Sequence, residues 1–199
     1  VISALAELGR DDEVITASRA LADFYRAVLS RGKEIIRIGE EIENVVNYLY
    51  IQHIRYADVF DYEIRVDDEI RDYAILKLTL QPLVENAIYH GLKPKGGPGR
   101  IIIEGHMEKN AGEEDKVVIT VSDDGVGIPD EKVAYFMKKN SGEKTRLSFG
   151  IYNVDERIKL FFGNEYGLVL ESKAGAGTAV RIEIPARSLG KDYNESGQE

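Results

Sequence analysis

Three residues within one short stretch of the sequence have side chains that bind ligands or move protons: Glu85, Asn86 and His90. Apolar residues around them recur at three- and four-residue steps, which predicts an amphipathic helix over residues 75–91. Asn86 and His90 are four residues apart, so their side chains leave the helix on the same side. We expect Gly91 to end this helix in the left-handed conformation. An acid, an amide and an imidazole beside an apolar stripe indicate either a buried polar network or a ligand site.

A second group of such residues, Asp123, Gly125 and Gly127, directly follows a predicted strand. A carboxylate at the end of a strand can accept a hydrogen bond from an exocyclic amine deep in a pocket. The two glycines allow a tight turn and a close approach of the backbone to a flat ligand. Taken alone, this pattern is also typical of an acidic turn.

Two further glycine-containing segments complete the set. Ser148, Phe149 and Gly150 open a predicted helix, and free backbone N–H groups at a helix start can bind phosphate. Thr178 follows Gly177 in a predicted hairpin. Together with the two groups above, these segments form an ordered set that is more specific than any single motif.

The composition excludes several classes of function. The 199 residues carry a net charge of −9, which argues against nucleic-acid binding through a broad basic surface. The absence of cysteine excludes disulfides and thiolate metal sites. No apolar run approaches the ~20 residues that cross a bilayer. An anionic ligand would need a local basic patch, and each candidate patch also fits a solvated loop. The two candidates are Lys93, Lys95 and Arg100, and then Lys138, Lys139, Lys144 and Arg146.

The elements that would position these residues fall into two regions. Residues 1–57 show only helical periodicity, and their apolar stripes need one another or a second copy of the chain, which indicates a dimeric helical bundle. Over residues 58–187, alternating apolar residues predict strands separated by helices, and hence an α+β mixed sheet with helices on one face. Residues 128–149 are predicted to be mainly a loop, and residues 188–199 a disordered tail. The predicted strands are 60–66, 100–107, 116–122, 168–172 and 178–184.

The four groups, in this order and spacing, resemble the Asn box, the two glycine boxes and the final Gly-Thr turn of the GHKL ATP-binding fold. Histidine kinases, gyrase, Hsp90 chaperones and MutL proteins share that fold, a two-layer α/β sandwich of the Bergerat type. Residues 80–91 are similar to the Asn box of LytS-like sensor histidine kinases, and the resemblance extends over residues 1 to about 186. Upstream segments that also resemble this family are Leu21 with Tyr25-Arg26, Glu40-Glu41-Ile42, Tyr48-Leu49 and Arg55-Tyr56.

The resemblance implies a role for each group in binding MgATP. Asn86 would hold Mg²⁺ through its side-chain oxygen, because hard cations prefer oxygen ligands. His90 would lie near the phosphates, and Glu85 would polarise or deprotonate the attacking imidazole. Asp123 would accept a hydrogen bond from the adenine amine, and Thr178 would close the adenine side.

The remaining groups would shape the site. Gly125 and Gly127 would let the purine in, and residues 128–149 would form a lid whose basic residues neutralise phosphate charge. Gly150 would seat phosphates together with its neighbours Ser148 and Phe149.

The resemblance further implies the kinase region of a two-component sensor histidine kinase. Such a region transfers the γ-phosphoryl group of ATP to a histidine, and a response regulator then takes it. We expect a homodimer through the N-terminal helices, and a cytoplasmic region whose parent protein is anchored in the bacterial plasma membrane.

The acceptor histidine is expected to lie outside this sequence. In the family a Pro-His-Phe-Leu-Phe-Asn segment carries it, and Val1 to Leu5 are similar to the residues directly after that segment. We therefore interpret the chain as a fragment that cannot autophosphorylate. His53 lies on an apolar helical stripe and lacks the acidic residue and the proline of a phosphoacceptor motif. It fits a core or interface histidine.

Three departures from the family pattern leave alternatives open. Ser148 replaces the first glycine of the second glycine box, Tyr89 replaces a common lysine, and Asp124 replaces a common asparagine. The first two favour an alternative in which the chain is a nucleotide-binding signalling module that has lost catalysis. A chaperone- or gyrase-type ATPase is a third hypothesis, but the short lid and the upstream helices fit a kinase better.

Overall fold

A computed structural model describes residues 1–29, 34–56, 58–110, 112, 114–129, 131, 133 and 146–190, without the side chains of residues 28 and 146–149. Helices and one short strand make up the first part of the chain. They are α1 (Ile2–Glu7), α2 (Asp11–Leu29), β1 (Ile35–Arg37) and α3 (Ile38–Arg55). Within these described ranges, no helix has the length and apolar character needed to cross a membrane.

Strands alternate with helices in the second part of the chain. Helix α4 (Gln81–Asn86) continues without a break into a wider π-helical segment (Ala87–Leu92) and then a 3₁₀ turn (Lys93–Lys95). The strands are β2 (Phe60–Val66), β3 (Ala74–Leu76), β4 (Gly99–Glu108), β5 (Lys116–Asp123), β6 (Gly167–Lys173) and β7 (Gly177–Pro185). Helix α5 (Arg146–Phe162) follows β5, and a short 3₁₀ turn (Asp68–Ile70) follows β2.

The main sheet among the described residues has the strand order β2-β4-β5-β7-β6. Strand β2 runs parallel to β4, and the other neighbouring pairs are antiparallel. The predicted α+β architecture with a mixed sheet is therefore confirmed. Each of these five strands ends within one residue of its predicted bounds.

The core forms where one face of the sheet meets α3, α4 and α5. Because strand side chains alternate between the two faces of a sheet, every second residue of a strand faces these helices. Burial of each Ile or Val side chain contributes about 1.5–3 kcal/mol to the free energy of unfolding. Register places Ile119 of β5 between Gly105 of β4 and Ile182 of β7. The inward strand residues include Ile101, Ile103, Val117, Ile119, Val121, Val180, Ile182 and Ile184.

The prediction that residues 1–57 contain no strand is wrong. Strand β1 pairs antiparallel with β3, with Ile36 opposite Ile75. A strand of three residues is too short to show an alternating pattern, so local periodicity could not reveal it. Helix α3 buries Ile42, Val45 and Leu49 in the same core as the sheet. A division of the chain at residue 57 stays a prediction, as does a dimer through the N-terminal helices.

The helix predicted over residues 75–91 is shorter at its start and longer at its end. Residues 74–76 form β3, and all three are buried. Because all three residues of β3 are buried, they form a continuous apolar run, and that run fitted the spacing expected of a helix. Gly91 is not left-handed, and the helical segment runs past it to Leu92. The residue with positive φ is Gly96, at +73°.

The predicted disordered tail begins with ordered residues. Ser188 forms a β-bridge with Tyr73, and the N–H of Leu189 donates to the carbonyl oxygen of Asp72 at 3.2 Å. These contacts join residues more than 100 positions apart, and no local sequence pattern predicts them. The rest of the tail, residues 191–199, lies outside the described residues.

Candidate functional site

A cavity of about 200 Å³ lies between α4, the ends of β5 and β7, and α5. Typical ligand pockets measure ~300–1,000 Å³, so this cavity suits a ring-sized group rather than a whole nucleotide. Five of the predicted site residues line it, which brings together segments that are far apart in sequence. These five are Asn86, His90, Asp123, Gly127 and Thr178.

Asp123 supplies the cavity's carboxylate. The N–H of Gly125 donates to its Oδ1 at 2.8 Å, which fixes the side chain at the end of β5. Burial raises the pKa of Asp123 to about 6, and the nearby Asp124 adds to this rise. The N–H groups of Gly125 and Thr178 and the charge of Lys95 act in the opposite direction. At neutral pH the group is therefore an ionised, largely desolvated acceptor.

Glycine is required beside this carboxylate for reasons of space. A Cβ at Gly125 would overlap the backbone of Gly91 and the carboxylate of Asp123. Gly127 has φ of +66°, and a Cβ there would overlap the carbonyl oxygen of Lys173. The turn after β5 is tight, as predicted, and packs directly against Gly91 in the segment after α4. A close approach of this backbone to a flat ligand stays a prediction.

Asp124 has a structural partner for each of its oxygens. The N–H of Arg100 donates to Oδ1 at 2.8 Å, and Lys95 Nζ lies 3.1 Å from Oδ2. Partial burial would raise the pKa of Asp124, but these two groups hold it below its usual value. The departure from asparagine at this position therefore fastens the loop after α4 to the start of β4, outside the cavity lining.

Thr178 is held by a serine that the sequence did not single out. Ser172 Oγ donates to the carbonyl oxygen of Gly177 at 2.8 Å and lies 2.9 Å from Thr178 Oγ1. The same Ser172 oxygen accepts the N–H of Ile128 at 2.8 Å. These bonds connect the β6–β7 hairpin to the segment after Gly127 and place Thr178 in the cavity wall.

Asn86 projects from the last turn of α4. Its amide nitrogen Nδ2 is buried and has no hydrogen-bond partner among the described residues. The position of a Cβ on Gly150 would lie 3.6 Å from that nitrogen, so the start of α5 faces the same amide. A buried N–H donor without a partner is costly, so this nitrogen is available to a hydrogen-bond acceptor on a bound molecule.

No cluster of three or more His, Cys, Asp or Glu side chains occurs in the part of the chain that the structure describes. The side chain of Asn86 carries an oxygen of the kind that Mg²⁺ prefers, and its role as a magnesium ligand stays a prediction.

Other predicted residues lie around the cavity rather than in its wall. Glu85 is half-buried and accepts a hydrogen bond from Gln81 Nε2 at 2.8 Å. His90 lines the cavity but is otherwise exposed. Tyr89 points to α3, where its hydroxyl donates to Gln52 Oε1 at 3.4 Å. The tyrosine that replaces a common lysine therefore contacts another helix.

Several predicted residues cannot be placed. Ser148 and Phe149 lie in the first turns of α5, but their side chains are outside the described residues, as is that of Arg146. Lys138, Lys139 and Lys144, with most of the predicted lid, also lie outside them.

The other basic group is engaged elsewhere. Lys93 Nζ donates to Tyr56 Oη at 2.8 Å, and Lys95 pairs with Asp124. Arg100 Nη1 lies 4.0 Å from Glu63. These contacts favour the interpretation of a charged loop over that of a phosphate patch.

His53 packs as a structural histidine. Its Nδ1 lies 2.9 Å from the carbonyl oxygen of Phe60, so that nitrogen is the protonated donor. The ring meets the rings of Phe60 and Tyr62 edge-on, at 5.7 and 5.8 Å between centroids. His53 is half-buried, which fits the expectation of a core or interface histidine.

The apolar wall of the cavity was not predicted. A sequence cannot separate a strand residue that lines a cavity from one that fills a core, because both are buried and apolar. Gly91 was also missed, although a Cβ there would overlap the Asp123 carboxylate. The apolar residues are Leu83, Ala87, Val121, Ile128, Pro129, Ile151 and Val180.

The chain matches two protein families along its length. Residues 71–188 match the family described as histidine kinase-, DNA gyrase B-, and HSP90-like ATPase, and residues 1–60 match the histidine kinase family. It is 34% identical over 187 residues to the sensor histidine kinase YesM of Bacillus subtilis, with 94% of this chain and 30% of the relative covered. It is 30% identical over 177 residues to the sensor protein LytS of Staphylococcus saprophyticus, with 88% and 29% covered. The chain thus spans less than a third of these relatives.

Solved structures share the fold. The catalytic domain of the histidine kinase ThkA has a TM-score of 0.53 at 24% identity, covering 77% of this chain and 97% of that one. The histidine kinase domain of a blue-light activated histidine kinase from Erythrobacter litoralis has a TM-score of 0.52 at 18% identity, covering 87% and 74%.

Proposed function

Because this chain belongs to the histidine kinase-, DNA gyrase B-, and HSP90-like ATPase family, and within it to the sensor histidine kinases, we propose that it binds MgATP in the cavity beside Asp123. In the full protein it transfers the γ-phosphoryl group to a histidine upstream of Val1. A response regulator then receives that group. The kinase region lies on the cytoplasmic side of a membrane-anchored parent and works as a homodimer.

The observation that carries the proposal is the position of Asp123. Its carboxylate is desolvated, held by the N–H of Gly125 at 2.8 Å, and exposed to a cavity of ring size. An ionised carboxylate only accepts hydrogen bonds, so it selects a ligand edge that carries an N–H donor. The exocyclic amine of adenine is such a donor, and the apolar walls suit the faces of a purine.

The base occupies this ring-sized cavity, and the phosphate chain extends out of it beside Asn86 and His90, which also line the cavity. Mg²⁺, when bound to Asn86 and the phosphates, supplies charge neutralisation during phosphoryl transfer. The chain's own contribution is to hold the nucleotide in place and to keep the base in a dry pocket. Glu85, next to Asn86, is the residue to polarise the acceptor imidazole when that residue approaches.

Phosphotransfer is tested in a longer chain that includes the upstream histidine segment. Asn86→Ala should reduce the incorporation of γ-labelled phosphate to background, because the metal-bound phosphates lose their protein ligand. Asn47→Ala is the matched control, since Asn47 lies on α3 outside the cavity lining. Unchanged autophosphorylation in Asn86→Ala would overturn the proposal. ATP binding without phosphotransfer in the unaltered long chain would favour the catalytically inactive module instead.

A further inference from the structure

Glu41 of α3 is buried, with 1% of its surface exposed. Its Oε1 accepts the N–H of Leu80 at 2.9 Å, and its Oε2 accepts the N–H of Leu78 at 3.1 Å. Burial raises the pKa of Glu41, and the N–H groups that its two oxygens accept act in the opposite direction. Leu80 directly precedes α4 and has no side-chain cap of its own. A carboxyl group from another helix therefore accepts the N–H at the start of α4, that of Leu80, and the N–H of Leu78 in the segment before it.

The segment that Glu41 holds is strained. Leu78 has φ of +60° and is the non-glycine residue with positive φ among the described residues. A side chain makes this conformation unfavourable, and it persists only where the surroundings fix it. Glu41 fixes one side of the segment, and Arg157 of α5 fixes the other by donating from Nη2 to the carbonyl oxygen of Lys77 at 2.9 Å.

Helix α3 also holds the far end of the same helical segment. Beyond Asn86, the hydroxyl of Tyr89 donates to Gln52 at 3.4 Å, and Lys93 donates to Tyr56 at 2.8 Å. The segment with the site residues is thus fastened to α3 at its start and at its end. Asn86, between these two attachments, keeps an amide nitrogen without a hydrogen-bond partner among the described residues.

We propose that Glu41 is a positioning residue for the phosphate end of the nucleotide site, acting through the backbone N–H groups of Leu78 and Leu80 that set the start of α4. Glu41 does not line the cavity and acts at a distance, by fixing where Asn86 stands relative to the base-binding carboxylate. The inference rests on the proposed function, because it assigns the Asn86 end of the cavity to phosphates and metal. It makes α3 a part of the nucleotide site as well as of the core.

The test compares two ligands that share a base and differ in their phosphates. Affinities for MgADP and for adenosine are measured by calorimetry and by NMR titration on the unaltered chain and on Glu41→Gln. A glutamine keeps one acceptor and places an NH₂ group against the other N–H. We expect MgADP affinity to fall about tenfold, which corresponds to the loss of one buried hydrogen bond. Adenosine affinity should change less than about twofold. A lower folded fraction alone would lower both affinities equally.

Val45→Ala is the matched control. Val45 is buried one turn along the same helix, so its truncation weakens the fold without removing a hydrogen bond from α4. If the ratio of MgADP affinity to adenosine affinity is unchanged in Glu41→Gln, or falls equally in Val45→Ala, the inference about Glu41 is wrong and the proposed function is unaffected. If Glu41→Gln does not fold by circular dichroism, Glu41→Asp is measured with the same expected ratio. An unaltered chain that binds neither ligand overturns the proposed function and the inference with it.

Discussion

Asp123 and Gly125 are joined by a hydrogen bond of 2.8 Å from the backbone N–H of Gly125 to the carboxylate oxygen Oδ1 of Asp123. The bond spans two residues, so the turn after β5 itself fixes the carboxylate in the cavity. The same turn sets Gly125 against Gly91, in the helical segment that also carries Asn86 and His90. One close contact between two glycines therefore sets the acceptor for a base relative to the residues proposed for the phosphates.

Gly125→Ala is predicted to damage both fold and site. The new Cβ would overlap the backbone of Gly91, which cannot move without shifting the cavity wall. Overpacking of this kind costs about 1–3 kcal/mol, and we expect the free energy of unfolding in urea to fall by that amount. Gly97→Ala is the control, because no atom lies within contact distance of a Cβ there and its φ is not positive. Equal stability of the two variants would contradict this packing.

The elements whose residues follow a regular local pattern could be predicted from the sequence. Strand β4 alternates buried and less buried residues from Arg100 to His106, and its predicted end at Met107 is one residue short of Glu108. The motif residues Asn86, Asp123, Gly127 and Thr178, which the resemblance assigned to one site, line one cavity, and their roles in it stay predictions.

The rest depended on contacts between segments that are distant in sequence. The salt bridge of Asp124 with Lys95, the hydrogen bonds of Ser172 and the capping of Leu80 by Glu41 leave no local pattern. Gly91 looked like a helix stop because glycine usually is one there. In the structure it is a glycine because the carboxylate of Asp123 occupies the space of a side chain.

The raised pKa of Asp123 predicts that base selectivity depends on pH. Above a pKa of about 6 the carboxylate accepts from the adenine amine and favours ADP. Below it the protonated carboxyl can donate to the 6-oxo group of hypoxanthine, so IDP gains. We expect the ratio of ADP to IDP affinity to fall between about pH 7.5 and pH 5. The two ligands share the same phosphates, whose titration cancels in the ratio. A ratio that stays constant would show that this carboxyl does not read the base.

The same shift makes Asp123 costly to stability. The folded chain binds this proton more tightly than the unfolded chain, so its stabilising contribution is lost as the pH rises through about 6. Asp123→Asn should therefore raise the free energy of unfolding by about 1–3 kcal/mol near pH 7.5, and by little near pH 4.

The neighbouring carboxylate provides a control of opposite sign for this experiment. The pKa of Asp124 is lowered by Arg100 and Lys95, so Asp124→Asn should reduce stability near neutral pH. Urea unfolding of both variants at the two pH values measures the effects. A loss of stability in Asp123→Asn at neutral pH would contradict the presence of a desolvated charge at Asp123.

Asn86→Ala tests the assignment of the metal end. In the unaltered chain Mg²⁺ should strengthen ADP binding, because the amide oxygen of Asn86 contributes to holding the cation. In the variant we expect ADP affinity with Mg²⁺ to equal that without it, while adenosine affinity stays within about twofold. Titrations with and without EDTA provide the measurement. A magnesium effect that survives the substitution would assign the cation to other residues.

The central claim, a nucleotide bound beside Asp123, is tested most directly by calorimetric titration of this chain with MgATP, in parallel with Asp123→Asn and Asp124→Asn. We expect saturable binding to the unaltered chain, loss of that binding in Asp123→Asn, and its retention in Asp124→Asn, whose carboxylate lies outside the cavity lining. Binding that survives in Asp123→Asn, or its absence from a folded, unaltered chain, would contradict the claim.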